Sequence, residues 1–158
     1  MADKDGINLS VHRPSTAFGP GDRVMLSASV RSDRPRPLRL QGFFAQVVEI
    51  TTLHVPPAKR VKATSTIRTR TIAEVRAPVN EMLGQSEDKV RRLTLQIPTD
   101  GLLVTTNNAK MLEIQYELNV KAVFEGIEDV KVEKLRYIVG VFPHNHAVQA
   151  VRYVVLFA

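Results

Sequence analysis

The chain has 158 residues, a formal net charge of +6, 44% apolar and 24% charged residues, and no cysteine. That length fits one domain, 1–158, able to bury a core without staples. Missing cysteine excludes a disulfide scaffold and every thiolate-ligated metal site. Nothing in the first ten residues leads a basic segment into an apolar stretch, and no apolar run approaches a membrane span, so neither a signal peptide nor a spanning helix is expected. The positive excess permits an acidic partner.

Ile7 to Val11 alternates apolar and polar residues and predicts a first strand. Phe18-Gly19-Pro20-Gly21-Asp22 reads as a turn, its glycines suited to positive φ and its proline fixing φ. Val24, Leu26, Ala28 and Val30 then alternate with Met25, Ser27 and Ser29 as a second strand. After the charged loop Ser32–Pro37, residues 38–51 carry apolar side chains on both faces, as a central strand does. A change of phase near Gly42-Phe43-Phe44 predicts a bulge. Residues 53–62, with Pro56-Pro57, read as an exposed connection, and the Thr-rich 63–75 as an edge strand. One helical turn is predicted around Glu81-Met82-Leu83, stopped by Gly84. Leu93, Leu95 and Ile97 predict a short strand ending at Pro98.

Leu112 to Phe124 is the clearest segment. Leu112, Ile114, Tyr116, Leu118, Val120, Ala122 and Phe124 recur at period two, giving one buried and one wet face. Val130 to Val141 returns as a strand whose phase slips near Glu133-Lys134, and Val151 to Phe157 forms the last. Eight strands with irregular loops predict an all-β fold, a two-sheet antiparallel immunoglobulin-like sandwich.

Nucleophile elbows, phosphate-binding glycine loops and zinc-protease motifs are absent, so no enzyme is expected and no catalytic residue is named. His144 and His146 could face one way on an extended segment, but no third ligand lies near; no metal and no cofactor is expected. Glu113, Glu117 and Lys121 read as a solvent-facing ladder of charges. Arg31, Arg34, Arg36 and Arg39 surround one proline-rich loop and form the candidate anion or cargo site, because arginine forks grip carboxylate or phosphate at two points. Lys59, Arg60 and Lys62 mark a secondary basic loop. Neither loop interleaves aromatic residues for base stacking, so nucleic acid is not the expected partner.

Three stretches resemble the C-terminal domain of the arrestin family, particularly the fungal arrestin-related trafficking adaptors, or α-arrestins. They are Phe18-Gly19-Pro20-Gly21-Asp22-Arg23-Val24, the pair Leu93–Pro98 and Ile114–Val120, and Ile138-Val139-Gly140; the likeness spans about residues 7–142. The chain departs from the family at Arg31-Ser32-Asp33, at Pro143, and in lacking Pro-Pro-x-Tyr and a second sandwich. The resemblance implies an arrestin C-domain sandwich acting as a non-enzymatic adaptor in the cytoplasm, recruited to plasma membrane or endosomes. Its implied partners are acidic or phosphorylated tails of membrane-protein cargo. A HECT-type ubiquitin ligase would be reached through regions outside this chain, linking cargo to ubiquitination and endocytosis. The alternative is a structural or self-associating sandwich; acidic-peptide binding against a defined oligomer separates the two.

Overall fold

Period-two alternation is carried out in space as strands with one face buried. A computed structural model describes residues 1–55, 62, 64–103, 105 and 112–140. The strands are β1 (Ala2–Lys4), β2 (Ile7–His12), β3 (Ala17–Phe18), β4 (Arg23–Ser32), β5 (Leu38–Val55), β6 (Thr64–Leu83), β7 (Asp88–Gln96), β8 (Leu112–Phe124) and β9 (Val130–Val139). They make two sheets, ordered β1-β2-β4-β7 and β3-β9-β8-β5-β6. Val24, Leu26, Ala28 and Val30 of β4 face Ile114, Tyr116, Leu118 and Val120 of β8 across one core, all buried. The all-β sandwich expected from the sequence is the fold observed.

Both predicted phase changes are bulges. The β5–β6 and β5–β8 registers shift between Leu40 and Gly42, where a Cβ on Gly42 would lie 2.5 Å from the Ala77 carbonyl oxygen. The β8–β9 register shifts between Leu118 and Val120, and Lys134 takes φ of 62° there, its N–H donating to Asn119 Oδ1 at 3.0 Å. Residues 63–75 were expected at an edge, and β6 does form the edge of the larger sheet.

Other expectations are corrected. Glu81-Met82-Leu83 is not a helical turn: these residues pair with Leu40, Arg39 and Leu38, and Leu83 is buried. Pairing with a long central strand outweighs a weak local preference for helix. A strand at Ala2–Lys4, unpredicted, adds an edge to the smaller sheet. One ladder is parallel, Ala17 and Phe18 lying beside Ile138 and Val139, so the larger sheet is mixed. In the 18–22 turn only Gly21 takes positive φ, at 76°; Gly19 instead donates its N–H to Asp22 Oδ2 at 2.9 Å. Leu112, expected in the buried phase, is 40% exposed. The predicted strand at 151–157 and the pair His144 and His146 lie outside the described residues, as do Pro56-Pro57, Lys59 and Arg60.

Candidate functional site

The arginine loop, 33–37, joins β4 to β5 where three other connections meet it. Asp33 N–H donates to Gly6 O at 2.8 Å, Ser86 N–H to Ser32 O at 2.7 Å, and Glu125 N–H to Arg39 O at 3.1 Å. Ser32 is buried and its Oγ accepts the Arg34 N–H at 3.2 Å, a short side-chain turn that sets the loop's departure from β4. Gly6 at φ of 76° makes room for Arg34, whose Cγ would lie 3.3 Å from a Cβ there.

These neighbours divide the four arginines. Arg31 lies 3.7 Å from Asp33 and 3.8 Å from Asp88, and Arg39 lies 3.4 Å from Glu125 while also donating to Asn80 O. Arg34 is half-buried and Arg36 exposed, and among the described residues neither has an ion pair. Lys4–Glu128, Lys89–Glu81 at 2.8 Å and Lys121–Asp129 at 3.3 Å complete a mixed-charge end of the sandwich. The Glu81 carboxyl is held below its ordinary range by the hydrogen bond from Lys89, and that of Glu128 by Lys4. The uncommitted positive charge of the loop is therefore Arg34 and Arg36. Of the secondary basic loop, Lys62 is exposed.

A second polar arrangement escaped the sequence reading. Register aligns Arg70 of β6, Glu49 of β5, Tyr116 of β8 and Tyr137 of β9 in one row across the larger sheet. Glu49 is only 5% exposed, and it accepts from Tyr116 Oη at 2.6 Å and from Arg70 Nη2 at 3.0 Å. Arg70 Nη2 also donates to Gly101 O at 2.8 Å, and Leu103 N–H donates to Tyr116 Oη at 3.0 Å. The row thus ties residues 101–103 of the β7–β8 connection to the face of the larger sheet. Burial, then the hydrogen bond to Glu49, push the Tyr116 hydroxyl pKa well up. The signal was available: Glu49 falls in the core phase of Ala45 and Val47, where a carboxylate needs partners. Within the row Glu49 takes both hydrogen bonds, from Tyr116 and from Arg70, through Oε2.

The long outer edge of β6 carries no described strand, and residues 64–71 are exposed on both faces. Ser65 Oγ lies 2.9 Å from His54 Nδ1, and His54 lies 3.5 Å from Glu113 on the neighbouring strand. Among the described residues no three His, Asp or Glu side chains gather as ion ligands, and no helix is long and apolar enough to cross a membrane.

Comparison places this architecture. A search by sequence among curated proteins finds no match. Among solved structures, the fold is similar to the crystal structure of Spo0M, sporulation control protein, from Bacillus subtilis, with a TM-score of 0.68 at 14% identity. That superposition covers 96% of this chain and 56% of Spo0M, so the chain spans little more than half of that protein's length. The sequence itself matches the family Arrestin (or S-antigen), C-terminal domain over residues 3–141. That match takes in β2 to β9 and most of β1, and the chain belongs to the arrestin family of scaffolds and adaptors, with a domain of the family's C-terminal type.

Proposed function

We propose that this domain is a non-enzymatic recognition module of a trafficking adaptor, binding the acidic or phosphorylated cytoplasmic tails of membrane-protein cargo. The observation that carries the reading is the family match over nearly the whole domain. A rigid sandwich presents loops and sheet edges, which are the surfaces that recognition by such domains uses. Within the loop of Arg31, Arg34, Arg36 and Arg39, the second and third have guanidinium groups that no described carboxylate engages. They are the positions for a tail phosphate, with Arg31 and Arg39 held in place as its flanks. Lys59, Arg60 and Lys62 are a second basic stretch, in the sequence after Val55 and so beyond the end of β5 opposite this loop. Coupling to ubiquitination and endocytosis, through a HECT-type ligase, is assigned to segments other than this domain, and the setting is the cytoplasmic face of plasma membrane or endosomes.

The test is titration of one phosphorylated tail peptide into the protein and into the Arg34→Glu, Arg36→Glu double variant. The loop carries little core, so the variant is expected to fold. A single exposed contact contributes about 0.2–1 kcal/mol, so two reversals should weaken binding clearly and wild-type affinity should fall with salt. Equal affinities without salt dependence would remove the loop from the mechanism. A defined oligomer that binds no peptide would favour the self-associating reading, which is supported by the outer edge of β6, unpaired among the described strands.

A further inference from the structure

A half-open groove of about 720 Å³ lies between the β2–β3 connection and the start of β4, with Tyr137 of β9 at its base. Pro14, Ala17, Phe18, Val24 and Met25 give it apolar walls. Met25 is 59% exposed, while Phe18 stacks edge-on against Tyr116 and tilts against Tyr137, their centroids 5.7 and 5.3 Å away. Tyr137 is 3% exposed, and among the described residues its hydroxyl is the buried side-chain polar atom without a well-formed hydrogen bond, the Arg13 guanidinium being its charged neighbour. Buried polar groups are nearly always satisfied, so an under-bonded hydroxyl on a residue that lines a groove marks a place for a ligand atom once the groove is occupied.

The charges around the groove define that ligand. Asp22 is buried and accepts the Gly19 N–H within its own turn. Arg23 is exposed at the rim without an ion pair among the described residues, and the Arg13 guanidinium sits 4.8 Å from the Tyr137 ring centroid while donating to Arg136 O. The available charge is positive. A half-open groove also cannot enclose most of a small molecule, as ordinary ligand pockets do, whereas a chain laid along it needs no enclosure. Main-chain strand addition is hindered at β3, because Ser15 Oγ already takes the Ala17 N–H at 3.2 Å and donates to Ala17 O at 3.0 Å. Recognition must proceed by inserting a side chain.

We propose that this groove docks an extended acidic segment of a partner protein, which inserts one apolar side chain against Phe18 and Met25, places a main-chain carbonyl on the Tyr137 hydroxyl, and reaches Arg23 with a carboxylate. The proposal rests on the adaptor reading and adds a site remote in sequence from the arginine loop.

The probe is a fluorescein-labelled peptide with Glu-Glu-Leu-Phe-Glu-Glu flanked by Gly and Ser, compared with the same peptide carrying Ser in place of Leu and Phe. Fluorescence anisotropy should show binding of the first and much weaker binding of the second. Tyr137→Phe keeps the ring and removes the under-bonded hydroxyl, so affinity should fall about three- to tenfold while thermal stability holds or rises. A purely structural Tyr137 would instead lose stability and leave affinity unchanged. Arg23→Glu should lower affinity further. Binding that survives both variants unchanged would overturn the groove while leaving the adaptor reading standing. Binding lost only in the Arg34→Glu, Arg36→Glu variant would do the same. Failure of the wild-type protein to bind this probe would overturn the groove too, with the phosphorylated tail peptide deciding the adaptor reading separately.

Discussion

Glu49 shows how one misplaced charge can organise its surroundings. A carboxylate in core phase would be costly alone, but Tyr116 and Arg70 stand opposite it on the two flanking strands. The Tyr116 hydroxyl has one proton to give, and Glu49 at 2.6 Å is a stronger acceptor than Leu103 O at 2.7 Å. Tyr116→Phe should therefore cost about 1–3 kcal/mol in denaturant melts, the range for leaving a buried acceptor short of a donor. It should also speed hydrogen exchange of the Leu103 amide, which donates to that hydroxyl. An unchanged Leu103 exchange rate would show that the connection is held by something else. Arg70→Ala should cost less, since Arg70 is more than half exposed and water replaces much of its role.

Among the elements, β5 and β8 set the fold, and each tolerates little change. Leu118 is fully buried at the centre of β8, so Leu118→Ala should cost about 2–5 kcal/mol; a loss below about 0.5 kcal/mol would put its side chain at the surface. Gly42 is needed for close approach and not for its φ: Gly42→Ala would press a methyl onto the Ala77 carbonyl and should destabilise by about 1–3 kcal/mol through displaced backbone. Alternation made β4, β7 and β8 legible, because a residue's phase directly records which face is buried. Even the bulge at Glu133-Lys134 could be seen, as a break in that phase. What stayed hidden depends on partners distant in sequence. Leu83 reads as part of a helical turn until Leu38 is placed beside it, and Ala17-Phe18 is too short to read as a strand without β9. The same holds at the candidate site, where four arginines were visible but the carboxylates of Asp88 and Glu125 arrive from other strands' ends.

For the molecule as a whole, the two described tyrosines make alkaline stability a readable property. Burial is the largest cause raising the pKa of both Tyr116 and Tyr137, with Glu49 adding to the first and Arg13 opposing it at the second. A phenol raised in the folded state contributes stability that is fully present below its unfolded pKa of about 10, and that is lost as pH rises toward the folded value. Stability should thus decline above about pH 10, and the absorbance of these two phenolates should appear together with unfolding. The chain has three tyrosines, Tyr153 being the third. Phenolate absorbance from all three well before unfolding would place Tyr116 and Tyr137 in water.

The parallel pairing of Ala17-Phe18 with Ile138-Val139 has a consequence in time. Among the described strands β9 is the sole partner of β3, and β9 is the last of them to be synthesised. While a ribosome is still making the chain, β3 has no ladder to join, Phe18 lacks the Tyr137 ring it packs on, and the groove beside them has no base. Loop closure over so long a separation is slow compared with forming hairpins such as β5–β6. Nascent chains released before Val130 should hold the smaller sheet and the β5–β6 hairpin open to protease, and chains released after Val139 should resist it. Among the described parts the proposed groove is thus the last to form, so a half-made protein could not engage a partner there.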